Sequence, residues 1–344
     1  MSLHAEIFEQ PASLERLLRT QGATVEAIAQ EIRRRDIEYV FLAARGTSDN
    51  AGRYANYLWG AQNGLPLALA APSLFTYYQQ PPRLNNALVV GVSQSGQSPD
   101  IVGVIAEGRR QGCLTLAITN EPLSPLAQAA DLVLDIRAGP EEAVAATKTY
   151  TAELMAVAML SAALDGSPER WQELGRVPGW VAQSLALDDD LARMTPRYRY
   201  MQHCVVIGRG YNYATAFEWS LKLKELTYVV AEPYSSADFL HGPVAMVERD
   251  FPALVIAPSG AAQDYVRALA GALREAGAEL LVLSDQAAAR ALGQIALPLP
   301  AGVPEWLSPV TVVVAGQLFA PHLALVKGLD PDRPRRIRKV TRTH

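Results

Sequence analysis

Short apolar runs alternate with helix-like segments along this chain. In the first half the apolar runs have the length of buried strands, and they cover residues 39–44, 88–92, 114–118 and 132–134. The segments between them have the spacing of helices, and they cover residues 47–61, 99–111 and 146–164. Strands that alternate with helices of this length build parallel sheets. The pattern therefore predicts an α/β fold with parallel, doubly wound (flavodoxin-like) sheets flanked by helices.

The second half of the chain repeats the first at a constant distance. Gly210 follows Gly46 by 164 residues, and Gly260 follows Gly96 by the same interval, each after an apolar run. A fixed interval between matching landmarks indicates an internal duplication. The predicted parts are an N-terminal helical segment (1–34), two tandem α/β domains (35–168 and 195–330) and a C-terminal tail (331–344).

The turn Ser93–Ser98 joins a buried strand to a helix and has the composition of an anion site. Backbone N–H groups at the start of a helix point outward, and the helix dipole favours negative charge there. The turn adds serine hydroxyls and glutamine amides but neither lysine nor arginine. Such neutral donors suit a phosphate ester on a small molecule better than a nucleic-acid backbone, which recruits many cationic contacts.

Two further turns, one in each half of the chain, indicate which half binds phosphate. The second-half counterpart, Ala257–Ser259, loses a hydroxyl, an amide and, at Pro258, a backbone donor. In the first half, Thr47 and Ser48 follow Gly46 at the same sheet edge, where ligands of open parallel sheets gather. These two hydroxyls are either helix N-caps or a second part of the phosphate site. We therefore expect the first half to hold the phosphate.

The segment 217–230 is predicted to be a helix with two distinct faces. Apolar residues from Trp219 to Val230 form a core stripe. The neighbouring face carries Glu218, Lys222 and Glu225, which follow each other at intervals of four and three residues. They are either a surface Glu–Lys pair worth a few tenths of a kcal/mol or a carboxylate held beside an ammonium, able to move a proton between adjacent carbons.

His241 and Lys339 are two further candidates for chemistry. His241 stands before Gly242-Pro243, after a stretch at 232–240 that looks irregular. It is either an ordinary loop residue or an acid–base group that opens a sugar ring. Lys339 lies in a basic tail and is either a solubilising charge or an amine that attacks a carbonyl.

Composition and charge exclude several classes of protein. The net charge of −4 argues against a general nucleic-acid binder. Cys113 and Cys204 make a disulfide framework implausible, which fits a reduced, cytoplasmic setting. No leader and no uninterrupted apolar run of about 18 residues is seen, so we expect no membrane span. The scattered histidines and cysteines give no metal-ligand spacing.

Six motifs in order resemble those of the sugar isomerase (SIS) family, over nearly the whole chain from about residue 35. They resemble most the isomerase half of glucosamine-6-phosphate synthase and shorter deaminase-like relatives. The motifs are Gly46–Ser48, Ser93–Gly96, Ala138–Glu141 with Val144–Lys148, Leu221–Glu225, Leu240–Pro243 and Asp332–Thr341.

The resemblance implies a role for each matching residue. It implies that the 6-phosphate of a hexose is held by Thr47, Ser48, Ser93, Gln94, Ser95 and Ser98. It implies that the backbone of Val144 contacts the sugar, that Glu225 moves a proton between C1 and C2, and that Glu218 and Lys222 line the site. By the same resemblance His241 opens the ring from the partner subunit of a homodimer, and Lys339, in the C-terminal tail, engages the open-chain carbonyl. The resemblance implies neither a metal nor an organic cofactor.

The direction of the reaction is a further expectation. No glutaminase domain or N-terminal cysteine nucleophile precedes the first predicted domain, so we expect release of ammonia rather than glutamine-dependent synthesis. The leading hypothesis is an amino-sugar-phosphate deaminase/isomerase that converts glucosamine 6-phosphate, or a close relative, to fructose 6-phosphate and ammonia. The alternatives are a deglycase acting on fructosamine 6-phosphates and a non-catalytic sugar-phosphate sensor.

Overall fold

A computed structural model describes residues 2–339, which fall into two compact units. The first unit contains residues 9–178 and 337–339, and the second contains residues 2–8 and 179–336. The strands are β1 (Tyr39–Ala43), β2 (Leu67–Leu69), β3 (Ala87–Val92), β4 (Leu114–Thr119), β5 (Leu132–Asp135), β6 (His203–Gly208), β7 (Val230–Ser235), β8 (Pro252–Ile256), β9 (Glu279–Ser284) and β10 (Ile295–Pro298).

Helices fill the segments between these strands. The α-helices are α1 (Leu3–Phe8), α2 (Gln10–Arg34), α3 (Gly46–Asn63), α4 (Ser73–Thr76), α5 (Pro99–Arg110), α6 (Pro125–Ala129), α7 (Lys148–Asp165), α8 (Pro168–Leu185), α9 (Asp188–Met194), α10 (Tyr213–Thr227), α11 (Ser236–Leu240), α12 (Gln263–Glu275), α13 (Ala287–Arg290) and α14 (Ser308–Val326). Short 3-10 turns cover Thr195–Tyr198, Gly210–Asn212, Pro243–Met246 and Glu305–Leu307.

Each unit is built on a five-stranded parallel sheet, which confirms the predicted fold class. The first sheet has the order β2-β1-β3-β4-β5 and the second has the order β7-β6-β8-β9-β10. Neighbouring strands are parallel in both sheets. The two orders are equivalent strand by strand, so the duplication read from the glycine spacing is also a duplication of topology.

Apolar side chains on the inner strands and helices build the core of each unit. Strands β3 and β4 are buried at every position, as expected for the middle of a parallel sheet covered on both faces. In the first unit α2 and α3 pack against α7, and in the second unit α10 packs against α14. The stretch Glu305–Val326 is long and apolar enough to cross a membrane, but most of it is buried inside the protein.

One helix boundary was predicted wrongly. Helix α10 ends at Thr227, because Tyr228 adopts a left-handed conformation with φ of 59°. Val230, which was assigned to the apolar stripe of this helix, instead begins β7 and is 59% exposed. The following stretch, predicted to be irregular, forms that edge strand and then α11. The cause is that Val230 fits the helical period of the stripe but is a β-branched residue that favours a strand.

Candidate active site

The phosphate turn predicted at Ser93–Ser98 is a tight connection between β3 and α5. Gly96 has a φ of +59°, and a Cβ there would lie 2.1 Å from Oγ of Ser124. Only glycine fits this position without displacing its neighbour. The carbonyl of Gly96 also accepts a hydrogen bond from the Leu126 N–H at 3.1 Å. The turn is therefore fixed against the start of α6.

The serines of this turn accept hydrogen bonds from the turn's own backbone. The Gly96 N–H donates to Oγ of Ser93 at 3.1 Å, and the Gln97 N–H donates to Oγ of Ser95 at 3.3 Å. A hydroxyl that accepts such a bond keeps its own proton to donate elsewhere. Ser98 is the N-cap residue of α5, and its side chain makes no capping bond within the described chain. The turn thus presents hydroxyl donors beside the positive end of a helix.

The neighbouring Gly46–Ser48 turn is tied to the phosphate turn by an ion pair. Nε of Arg45, at the end of β1, donates to Oδ2 of the buried Asp100 in α5 at 2.8 Å. Thr47 is half-buried. Ser48 is buried and donates to Oε1 of Glu153 at 2.8 Å. Neither Arg45 nor Asp100 was among the predicted site residues, because their contact spans 55 residues of chain.

Lys339 contacts the buried carboxylate of Glu141, which lies in the motif Ala138–Glu141 and was not among the predicted site residues. Nζ of Lys339 lies 2.6 Å from Oε2 of Glu141, whose side chain is fully buried. The same carboxylate accepts from the backbone N–H groups of Thr147 (2.9 Å) and Thr149 (3.1 Å), and from the Thr149 hydroxyl (2.8 Å). Glu141 is therefore a fixed anion at the start of α7, where the helix dipole favours it. The half-buried Val144 lies between Glu141 and this helix.

A single cavity brings Lys339 together with the phosphate turn. Its volume is about 340 Å³, and its lining residues are Gln94, Ser95, Gln97, Glu121, Leu123, Ser124, Glu141 and Lys339. All of these residues belong to the first unit. The volume lies at the lower end of the range for small-molecule sites. One lysine, two carboxylates and several neutral hydroxyls and amides thus face one space. The end of the C-terminal motif, Val340–Thr341, lies outside the described residues.

The second unit carries a buried charged triad on α10. Nζ of Lys222 lies 2.5 Å from Oε2 of Glu225 and 3.4 Å from Oε1 of Glu218. The side chains of Glu218 and Lys222 are 0% and 1% exposed, so the reading of a surface Glu–Lys pair is wrong. Glu225 is 25% exposed and is the open end of the triad. Burial alone would lower the pKa of Lys222, but the two carboxylates outweigh it and raise the pKa above its ordinary value.

His241 lies at the end of α11 in the second unit. It terminates α11, where its backbone N–H donates to the carbonyl of Asp238 at 3.1 Å. Its side chain is exposed, and Gly242 follows with a φ of +130°. The histidine therefore stands on the surface of the chain at a sharp change of direction.

Comparisons with known proteins place this architecture in a family. The SIS domain matches residues 35–163 and 199–327, two matches that begin 164 residues apart. The chain belongs to the SIS domain family. It is 33% identical, over 338 residues and 97% of its length, to glutamine--fructose-6-phosphate aminotransferase (isomerizing) of Methanothermobacter thermautotrophicus. The chain spans 56% of that relative, about half the length of the curated proteins it matches.

Two solved structures share the whole fold. The C-terminal domain of glucosamine-fructose-6-phosphate aminotransferase from Francisella tularensis superposes with a TM-score of 0.88 at 27% identity, covering 96% of this chain and 98% of that one. Glucosamine-6-phosphate deaminase from Thermotoga maritima superposes with a TM-score of 0.79 at 22% identity, covering 100% of both chains. The second likeness concerns the fold alone.

Proposed function

We propose that this chain is an amino-sugar-phosphate deaminase/isomerase, which converts glucosamine 6-phosphate or a close relative, with water, to fructose 6-phosphate and ammonia. The observation that carries the proposal is the pairing of Lys339 with Glu141 in the cavity that Ser95 and Gln94 line. A cationic amine beside a neutral phosphate cradle suits a substrate with a carbonyl at one end and a phosphate at the other. Membership of the SIS family supports a sugar phosphate as that substrate.

In the proposal, the phosphate fixes the substrate before any bond changes. Hydroxyl and amide donors at the start of a helix bind a dianion without a competing salt bridge. Thr47, Ser48, Ser93, Gln94, Ser95 and Ser98 are proposed to supply them, with the backbone of Val144 along the sugar. For Ser48 this requires its single hydroxyl proton to turn from Oε1 of Glu153, which it contacts at 2.8 Å, to the phosphate.

His241 is proposed to open the ring, because an imidazole can donate a proton to the ring oxygen and accept one from the C1 hydroxyl. The open chain then has an aldehyde at C1 and an amine at C2. Lys339, oriented by Glu141, is proposed to engage the C1 carbonyl oxygen and to stabilise the negative charge that forms there.

Glu225 is proposed to remove the C2 proton and return a proton to C1. The enolamine formed between these steps becomes an imine at C2, water adds to that carbon, and ammonia leaves. Lys222, with its raised pKa, stays an ammonium and holds the Glu225 carboxylate at 2.5 Å. Glu218 balances that buried ammonium from the other side.

The two thiols of this chain are poorly placed to act as nucleophiles. Both cysteines are buried, and burial raises the pKa of Cys204 to about 12 and also raises that of Cys113. A thiol with a raised pKa is a poor nucleophile at neutral pH, so neither is suited to hydrolyse glutamine. The buried thiols also fit a reducing compartment, and we propose the cytoplasm.

The test is incubation of purified protein with glucosamine 6-phosphate while ammonia and fructose 6-phosphate are both measured. The expected result is equal amounts of the two products, lost in Glu225→Gln and kept in Glu232→Gln, an exposed carboxylate on β7. Failure of every 2-amino-sugar 6-phosphate to yield ammonia would defeat the proposal.

The two alternatives give different results in the same experiment. A deglycase releases an amino acid from a fructosamine 6-phosphate, so product analysis separates it from a deaminase. A sugar-phosphate sensor binds the phosphosugar without turnover. The buried triad Glu218–Lys222–Glu225 favours an enzyme, because a sensor needs the phosphate turn but no charged group of this kind.

A further inference from the structure

A cluster of side chains that can bind a metal lies in the second unit, and it shares no residue with the triad on α10 or with His241. Nε2 of His4 lies 2.9 Å from Oδ2 of Asp188, and Nε2 of His322 lies 2.6 Å from Oδ1 of the same carboxylate. One ligand atom from each residue lies within 4.8 Å of the other two. Residues from α1, α9 and α14 are thus brought together by the fold alone.

The cluster is closed on one side and open on the other. The side chains of Asp188 and His322 are 21% and 17% exposed, whereas that of His4 is 47% exposed. The His4 ring also contacts the ring of Phe8, with centroids 4.8 Å apart, which fixes its direction. An ion therefore has a path of entry, and water has access to complete its coordination.

The charge of Asp188 is not balanced by a strong base. Within residues 2–339, no lysine or arginine pairs with this carboxylate, and its partners are the two imidazoles. Neutral imidazoles leave a net negative charge between two nitrogen ligands. That combination of two imidazoles and one carboxylate suits zinc and similar first-row divalent ions.

We propose that His4, Asp188 and His322 bind a divalent transition-metal ion such as Zn²⁺, with water as the fourth ligand. Zinc takes nitrogen ligands at about 2.0–2.1 Å and carboxylate oxygens at about 2.0–2.2 Å in a tetrahedral arrangement. In that arrangement, bonds to the ion replace the two hydrogen bonds between the histidines and Asp188. The ion joins the N-terminal helix α1 to α9 and α14, so it stabilises the fold and is separate from the proposed chemistry.

The experiment uses full-length protein without a polyhistidine tag, after treatment with a chelator. Zn²⁺ binding is measured by calorimetry, and Co²⁺ is used as a second probe because its visible absorption reports tetrahedral coordination. We expect one ion per chain, and a rise in Tm when Zn²⁺ is added. In Asp188→Asn the affinity falls by at least about 100-fold, and the Tm no longer responds to Zn²⁺.

Asp189→Asn is the matched control, since Asp189 is the exposed neighbour of Asp188 in the first turn of α9 and loses the same charge. It keeps the wild-type affinity. Should Asp188→Asn fail to fold, His4→Gln changes the most exposed ligand and is expected to show the same loss. The proposal is overturned if the wild type binds no ion, or if Asp189→Asn weakens binding as much as the cluster variants do. In that case His4, Asp188 and His322 form only a hydrogen-bonded cluster without a metal.

Discussion

Glu141 and Lys339 are 198 residues apart in the chain, yet their side chains meet at 2.6 Å in the first unit. The carboxylate also accepts three hydrogen bonds at the start of α7, so it orients the lysine from a fixed position. We expect Glu141→Gln to lower kcat by about 10- to 100-fold, the value of a charged hydrogen bond. Turnover of glucosamine 6-phosphate measures it, with circular dichroism to check folding.

Two controls separate the orientation of Lys339 from the stability of α7. Thr149→Val removes one of the helix bonds to Glu141 and leaves the lysine contact, so kcat should change little. Glu142→Gln removes an exposed neighbouring charge and should leave kcat unchanged. Equal losses in Glu141→Gln and Thr149→Val would contradict a positioning role for Glu141.

Gly96→Ala tests the phosphate turn. The new Cβ would meet Oγ of Ser124 at 2.1 Å in a backbone conformation that alanine disfavours. We expect the KM for the phosphosugar to rise by an order of magnitude or more, because the donors of the turn move with the backbone. Gly103→Ala on α5, where a Cβ meets nothing within 4 Å, should leave the KM unchanged. A wild-type KM in Gly96→Ala would remove the turn from the binding site.

Lys222→Gln tests the buried triad through stability. Removing the ammonium breaks the pair with Glu218, which is 0% exposed, and breaking a buried pair costs about 3–5 kcal/mol. Urea unfolding should show this loss, whereas Lys224→Gln on the exposed face of the same helix should change stability by about 0.5 kcal/mol or less.

The same variant has a defined pH dependence. The pKa of Lys222 is raised in the folded state, so its contribution is fully present below the unfolded pKa of about 10.4 and is lost as pH rises through the higher folded value. The difference in unfolding free energy between wild type and Lys222→Gln should therefore be constant from pH 7 to 9 and shrink above about pH 10.4. A difference that shrinks between pH 7 and 9 would contradict the raised pKa.

Mixing two inactive variants tests whether His241 acts across a homodimer. Glu225→Gln and His241→Asn are each expected to be inactive alone. Random exchange of subunits gives mixed dimers with one unaltered site each, which restores about a quarter of the wild-type activity. No recovery in a mixture shown by mass to contain mixed dimers would place His241 and Glu225 in the same subunit's site.

The sequence predicts the sheets better than it predicts the site. The runs 88–92 and 114–118 are apolar at nearly every position, as strands buried on both faces must be, and both are confirmed with small shifts at their ends. The helix prediction extends too far at Val230, because this residue fits the helical period and also has a high strand propensity. Arg45–Asp100 and Glu141–Lys339 could not be predicted, because each contact depends on how distant segments pack.

The Glu141–Lys339 pair also depends on the continuity of the second unit. Residues 337–339 belong to the first unit, although residues 179–336 of the second unit separate them in the chain from residues 9–178. A cut by a protease within residues 179–336 would therefore sever the covalent path between Lys339 and the sheet of its own unit. After such a cut, only non-covalent contacts such as the bond to Glu141 would hold the amine in the cavity.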